Sequence, residues 1–267
     1  MKLVKSLLGV WTALVMVFFY APIAVLLVFS FNTSRLNILW EGFTLRWYAD
    51  IWRDAVLVRS LQNSLIVAVI STALAVLLGT GAAWLLHRYR IPASRAWRTL
   101  VYLPMIVPEV IIGISLLMLF VVVRLELGYA TIIISHVTFC IPLVLAAVQS
   151  RLAGLDPALE EAAMDLGATP ATAFRRVVVP YLMPAIASGA LMAFTLSLDE
   201  LIITYFTASA GTRTLPLEVF GRVKRGLDPT LNAISTVFVL AAVFLVVATS
   251  FLMRRSGAAP ARRTEHP

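Results

Sequence analysis

The sequence predicts an all-α membrane protein that crosses a bilayer six times, with both termini on the cytoplasmic side. Three observations predict this fold. Hydrophobic residues make up 60% of the 267 residues and charged residues only 13%, which is far from the balance of a soluble chain. Six apolar runs are each long enough to cross about 30 Å of hydrocarbon. Lys and Arg residues are also more frequent between alternate runs.

The apolar runs are predicted to be helices, because an isolated strand cannot satisfy its backbone in lipid and no run alternates like a barrel strand. They cover residues 7–31, 64–86, 100–123, 127–148, 185–206 and 231–253. The first run follows Lys2 and Lys5, as a signal peptide would, but its length favours a membrane anchor. Asn63 or Ser64 is predicted to cap the second helix.

The distribution of positive charge predicts the orientation. Thirteen of the 22 Lys and Arg residues lie on the side that holds both termini, and cytoplasmic segments carry the excess of such residues. No internal repeat is found, so residues 1–267 are predicted to form a single transmembrane domain, with a short disordered cytoplasmic tail at 254–267. The net charge of +8 reflects these flanks. Membrane lipid is therefore an expected partner and nucleic acid is not.

The segment between the first two runs is predicted to be an amphipathic helix in the outer interface. Trp47, Tyr48, Ile51 and Trp52 recur at helical spacing, while charged residues occupy the other faces. The fourth run contains the single cysteine, which allows no intrachain disulfide and indicates no metal cluster. Its lone His136 is predicted to have a packing or hydrogen-bonding role.

A polar segment between the fourth and fifth runs has the pattern of two short helices joined by a sharp turn. Asp156 before Pro157 is typical of a helix start, and Gly167 lies where a helix would end. Thr169 and Pro170 then begin a second helix, predicted to run to Pro180. Because such a unit has too little apolar surface to be stable alone, we expect it to project from the bundle.

One face of the first short helix is apolar. Its members recur at i, i+3, i+4 and i+7: Leu159, Ala162, Ala163 and Leu166. A stripe of this kind is suited to a groove in another protein. The alternative is that the segment is a structural loop that packs on its own bundle.

This segment resembles the EAA loop of ABC importer permeases. The pattern of that loop is Glu-Ala-Ala, three residues, Gly, nine residues, then aliphatic, any residue, aliphatic and Pro. The chain matches it with Glu161, Ala162, Ala163, Gly167, Val177, Val179 and Pro180. Further stretches, among them "PMIVPEVIIGISLL" and "SLDELIITYF", are similar to the permeases of spermidine/putrescine importers.

The resemblance implies a bacterial inner-membrane permease with several partners. They are a cytoplasmic ABC ATPase dimer that uses ATP and Mg, a second permease subunit that is a related chain or a copy, and an extracytoplasmic binding protein. The segment would be the coupling helix on the ATPase, with six candidate coupling residues: Glu160, Glu161, Ala162, Ala163, Asp165 and Gly167. Because the sequence contains no G-x-x-x-x-G-K-[ST] phosphate loop, we expect no enzymatic activity and no cofactor bound by this chain.

Three acids lie inside the predicted spans: Glu109 in the third, and Asp199 and Glu200 in the fifth. Each costs about 2.5–3.5 kcal/mol at the bilayer centre on insertion scales, so they should face protein or a water-filled path. Ser197 and Thr204 share one helical stripe with Glu200, whereas Asp199 points about 100° away.

Two interpretations of the acids remain open. They could be structural, either protonated or paired with an arginine, or they could line a path for a cation. No predicted span contains Lys or Arg, which favours the path. Pro104 and Pro108 are expected to open the third helix and expose carbonyl groups to the cation. Trp47 at the outer interface, with Ser197 and the acids, completes the predicted substrate path.

Three functions are compatible with the sequence. The favoured function is the membrane-spanning subunit of an ATP-driven importer of a polyamine or similar small cation. Related permeases serve an opine, a phosphonate or iron, and a third possibility is an ion-coupled secondary transporter that uses the same acids. In the outer loop after the fifth run, Arg213, Arg222, Lys224 and Arg225 oppose the charge bias. We expect them to contact either a binding protein or lipid head groups.

Overall fold

A computed structural model of the chain describes residues 2–34, 39–89, 94–226 and 229–256. The fold in these ranges is all-helical, apart from one isolated β-bridge between Asn32 and Phe43. The helices are α1 (Lys2–Phe29), α2 (Arg46–Arg53), α3 (Ala55–Arg88), α4 (Ser94–Tyr102), α5 (Glu109–Val122), α6 (Tyr129–Leu152), α7 (Pro157–Asp165), α8 (Pro170–Ala173), α9 (Val179–Asp199), α10 (Ile202–Thr207), α11 (Leu215–Arg225) and α12 (Pro229–Ser256). A 3-10 turn (Leu103–Met105) follows α4, and a π-helix (Phe174–Val178) connects α8 to α9.

Four helical segments of the described chain are long and apolar enough to cross a membrane. They are Ser6–Phe29, Ala55–Arg88, Tyr129–Leu152 and Pro170–Asp199. A fifth candidate is the bent pair Thr99–Met105 and Glu109–Val122, and Pro229–Ala241 is a shorter apolar helix. The helical class is therefore confirmed, whereas the count of six spans and the position of the termini stay predictions.

The third predicted span is not one straight helix. The two halves of residues 99–122 are bent by 112°, and the break lies between Pro104 and Pro108. Proline lacks the N–H that a helix requires, and it disfavours helical conformation in the residue before it. The expectation that these prolines open the helix predicted over 100–123 is confirmed.

The second predicted helix begins nine residues earlier than expected, at Ala55. The Asp54 carboxylate accepts hydrogen bonds from the N–H groups of Val56 and Leu57, at 3.0 and 3.1 Å. Asp54 therefore caps α3, and the prediction of Asn63 or Ser64 as the cap was wrong. Both residues lie inside the helix, where Asn63 Nδ2 donates to the Arg213 carbonyl, at 2.8 Å, and Ser64 Oγ accepts from the Leu215 N–H, also at 2.8 Å.

The contact pattern divides the chain into two compact units. The first comprises Met1–Arg59 and Glu218–Phe251, and the second is built on Ser60–Leu217. The prediction of a single domain stays a prediction. The predicted tail over 254–267 overlaps α12, which continues to Ser256, and its remaining residues lie outside the described part of the chain.

The hydrophobic core of the second unit is organised around α6. Twelve residues of this helix are buried, among them Val144, Leu145 and Val148. Val144 lies against two glycines: a Cβ atom on Gly79 of α3 would come within 3.0 Å of its Cβ, and one on Gly189 of α9 within 3.1 Å of its Cα. Small residues allow helices in a membrane to approach closely. Gly79 and Gly189 thus permit close approach to α6 from two sides.

Replacing Gly79 with Val should lower the stability of the protein by about 1–3 kcal/mol, because the added methyl groups overpack the contact with Val144. Gly81→Val is the matched control, since Gly81 lies in the same helix with no atom within 4 Å of the added Cβ. Both changes alter helix propensity equally. Thermal unfolding of the purified protein in detergent measures the difference. Equal melting temperatures for the two variants would show that the close contact is unimportant.

Candidate functional site

The break between α4 and α5 opens a cavity in the second unit. The cavity has a volume of about 450 Å³, and its lining includes residues 104–109, Ile112, Phe139, Leu143, Leu196 and Ile203. Glu109 is the one ionisable side chain among these described residues. Its carboxylate belongs to the first turn of α5, where the helix dipole favours negative charge. The site therefore combines apolar walls with an anionic group.

A second break lies in the fifth predicted span, which was expected to be continuous over 185–206. Helix α9 ends at Asp199, and Glu200 has an extended conformation, with φ −67° and ψ 116°. The buried Glu200 side chain then turns back, and its Oε1 accepts the N–H of Ile203 at 2.7 Å. Since an unsatisfied backbone group is costly in hydrocarbon, this side chain stabilises the start of α10.

His136 of α6 connects the two sides of this break. Its Nδ1 lies 2.7 Å from Ser197 Oγ on α9, and its Nε2 lies 2.9 Å from Thr204 Oγ1 on α10. The Thr204 hydroxyl donates to the Glu200 carbonyl, so Nε2–H of His136 must donate to Thr204 and Nδ1 must accept from Ser197. The predicted hydrogen-bonding role of His136 is confirmed. Its position as a bridge across a helix break could not be predicted without knowing that the break exists.

The three predicted acids lie near one cavity. Glu109 and Ile203 both line it, Glu200 binds the Ile203 N–H, and Asp199 directly precedes Glu200. Glu109 and Asp199 are exposed in this chain, whereas Glu200 is buried. Ser197 and Thr204 both face His136, as expected for two residues of one predicted stripe. Glu200, the third residue of that stripe, lies instead at the break between the helices. No group of three His, Cys, Asp or Glu side chains in the described ranges is placed to hold a metal ion.

Trp47, the predicted aromatic member of the path, lies in the first unit. It is only 6% exposed, and its indole Nε1–H donates to the Asn32 carbonyl at 2.7 Å. Trp52 of the same helix is exposed. The amphipathic helix is thus present, but the expected placement of Trp47 at a lipid interface was wrong because its ring packs inside the unit.

Arg222 is also bound within the first unit. Its guanidinium contacts Asp54 at 2.7 Å and Glu218 at 3.0 Å, so the expectation that it faces an external partner was wrong. Burial disfavours the charged form of Asp54, but hydrogen bonds from the Leu57 N–H and from Arg222 outweigh it and lower the pKa of Asp54. The stability that this ionised carboxylate gives is present at neutral pH and is lost as the pH falls through the lowered pKa. Lys224 remains exposed.

The polar segment after α6 forms the predicted helix, turn and helix. Asp156 Oδ1 accepts the Ala158 N–H at 3.0 Å at the start of α7. Gly167 has φ +89°, a left-handed conformation that glycine adopts without steric cost. The second helix does not end at Pro180 as predicted. The π-helix widens the turn before this proline, and the chain continues into α9.

Helix α7 has one face toward its own bundle and one away from it. Glu160 is buried, and its Oε1 lies 3.3 Å from Nε of Arg88. On the outer face, Leu159 is 51% and Leu166 89% exposed. Glu161, Ala162, Asp165 and Gly167 are exposed as well, and Ala163 is half-buried. Of the predicted coupling residues, Glu160 therefore faces the bundle of this chain, whereas the exposed ones face away from it.

Broken helices around a carboxylate-lined cavity, together with a helical pair that projects an apolar face, define a multi-pass membrane transport subunit. The chain belongs to the family of binding-protein-dependent transport system inner membrane components, which it matches over residues 75–265. This family supplies the inner-membrane component of binding-protein-dependent transport systems.

Individual relatives extend the match to nearly the whole chain. The spermidine/putrescine transport system permease protein PotC of Escherichia coli (strain K12) is 37% identical over 250 residues, which are 94% of this chain and 95% of that protein. The putrescine transport system permease protein PotI of the same strain is 41% identical over 90% of this chain and 88% of its own length. A crystal structure of a bacterial ABC transporter involved in the import of the acidic polysaccharide alginate contains a chain with the same fold, with a TM-score of 0.74, 16% identity and coverage of 95% and 96%.

Replacing Thr204 with Val should destabilise the protein by about 1 kcal/mol or more, because the buried Nε2–H of His136 loses its acceptor. Thr195→Val is the control: it removes a hydroxyl of the same kind, bonded to the Leu191 carbonyl, from an exposed position. Unfolding in detergent compares the two variants. If Thr195→Val lowers the melting temperature as much as Thr204→Val, His136 does not bridge the break.

Proposed function

We propose that this chain is a permease subunit of an ATP-driven polyamine importer in the bacterial inner membrane. The observation that supports this most directly is the cavity at the break before α5, which has Glu109 in its lining and Glu200 bonded to Ile203, another lining residue. PotC and PotI match most of this chain, at 37% and 41% identity. Their names assign spermidine and putrescine to those two proteins. Because the fold is shared with an importer of alginate, it is compatible with substrates of either charge. The charge of the substrate must therefore be inferred from the residues of the site.

The chemistry of the cavity suits a polyamine. Such a molecule alternates ammonium groups with apolar methylene chains, and its ammonium groups leave water only if fixed anions replace their hydration. Residues such as Ile112, Phe139 and Leu143 supply apolar walls, and Glu109 supplies an anion. In this proposal Asp199 receives the cation first, Glu200 and Ser197 lie along the path, and Glu109 lies deeper.

The proposed topology places the helix pair of α7 and α8 in the cytoplasm. Six spans, counting the bent pair as the third and α12 as the sixth, put both termini on that side. The exposed Leu159, Ala162 and Leu166 then provide an apolar face for a groove in the ATPase dimer. The ATPase binds ATP and Mg, and this chain binds no cofactor. A second permease subunit and an extracytoplasmic binding protein complete the importer.

Neutralising the acids should reduce uptake without loss of assembly. Asp199→Asn, Glu200→Gln and Glu109→Gln keep the side-chain shape and remove the charge, so we expect each to lower ATP-driven putrescine uptake about tenfold, equivalent to about 1.4 kcal/mol. Gln at position 200 retains an oxygen that can accept the Ile203 N–H, so the loss reports charge and not the cap. Uptake into proteoliposomes that contain the complete importer measures the effect.

The control is Glu126→Gln, which removes an exposed carboxylate outside the predicted spans and should leave uptake unchanged. Basal ATP hydrolysis should remain near the parental value in all four variants. Parental uptake rates for all three acid variants would show that the acids are structural and would remove the support that the site gives to a cationic substrate.

A further inference from the structure

The inner face of α7 points to a residue outside the predicted coupling set. Arg88 is the last residue of α3, a helix of 34 residues. Its Nε lies 3.3 Å from Glu160 Oε1, and its side chain is 39% exposed, whereas the Glu160 side chain is only 7% exposed. The pair therefore joins a buried carboxylate on α7 to the end of a long helix.

Arg88 supplies the charge that Glu160 requires. Glu160 Oε1 is inaccessible to solvent and accepts no aligned hydrogen bond from any residue that the structure describes, so its compensation is the ionic attraction to Arg88. A buried charge that loses its partner is strongly unfavourable. The positive charge is also favoured at the C-terminal end of α3, where the helix dipole is negative.

An aromatic contact holds the same end of α3 from the other side of the turn. Trp84 lies one turn before Arg88, and its ring is 4.4 Å from that of Phe174, centroid to centroid. Phe174 follows α8, beyond Gly167. The end of α3 is thus held by both halves of the helix pair: by Glu160 through charge and by Phe174 through ring packing.

We propose that Arg88 is the positioning residue through which α7 moves α3 during transport. A helix is stiff along its axis because each backbone N–H is bonded to the carbonyl four residues earlier. A displacement of Glu160 is therefore passed to the whole of α3 as long as the ion pair holds. In this proposal the outer face of α7 contacts the ATPase and moves with it. The inner face passes the motion to α3 through Glu160 and Arg88. This inference rests on the proposed function, since it states how motion passes from the same coupling segment to α3.

The test compares three single variants in proteoliposomes that contain the complete importer, with putrescine as substrate. The measured quantity is the amount of putrescine transported per ATP hydrolysed. Arg88→Ala and Glu160→Gln should each lower this ratio roughly tenfold while ATP hydrolysis continues, because each removes one charge of a pair that is partly exposed at Arg88. Arg88→Lys keeps the charge and should retain at least about half of the parental ratio. A purely structural role would instead lower hydrolysis and transport together.

A double variant tests whether the two residues act as a pair. Arg88→Ala combined with Glu160→Gln should lower the ratio no further than either change alone. Two independent, multiplied losses would overturn the inference, and so would parental ratios in both single variants. A parental importer without ATP-driven putrescine uptake would remove the proposed function and this inference with it. An active parental importer with fully coupled variants would overturn the inference alone.

Discussion

The hydrogen bond from the Ile203 N–H to the Glu200 carboxylate is the interaction on which the site depends. A membrane helix can be broken only where its free backbone groups find partners inside the protein. Glu200 provides such a partner, and His136 adds a second connection by binding Ser197 before the break and Thr204 after it. The break can therefore exist next to the cavity.

The two breaks have different chemical origins. Pro104 and Pro108 interrupt the third span because their rings remove backbone donors, so the interruption follows from covalent structure alone. The break at Glu200 contains no proline, and it requires the polar side chains that bind across it. Both breaks contribute to one cavity, since Pro104, Pro108 and Ile203 all line it. Helix α6, which Gly79 and Gly189 allow α3 and α9 to approach closely, packs against α5 and α10 and against the 3-10 turn before the first break.

The helical class, the proline interruption and the turn at Gly167 could be predicted because each follows from local chemistry. Hydropathy identifies apolar helices, proline removes a donor and a left-handed turn favours glycine. The break at Glu200 could not be predicted, because "SLDELIITYF" is a good helical sequence and tertiary contacts outweigh its propensity. The same holds for Trp47 and Arg222: their spacing and charge suggested exposure, whereas Asn32 in one case and Asp54 in the other bind them within the unit.

The short helix α7 has two faces with different environments. Its ends are fixed by Asp156 and Gly167, its inner face holds Glu160 against Arg88, and Leu159 is exposed on its outer face. These features explain why a chain of such high hydrophobicity keeps this segment polar at its ends and open on one side. We propose that the cavity and α7 are the two functional parts and that the long helices transmit motion between them.

Photoaffinity labelling tests most directly whether the cavity at the break before α5 is the polyamine path. The reagent is a putrescine derivative that carries a diazirine, applied to the complete importer in membranes, with the labelled residues identified by mass spectrometry. We expect labelling within residues 104–109 and at Ile203, which line the cavity, and we expect unmodified putrescine to prevent it. Labelling confined to α1 or α12, or labelling of the cavity that excess putrescine does not reduce, would show that the cavity is not the polyamine path.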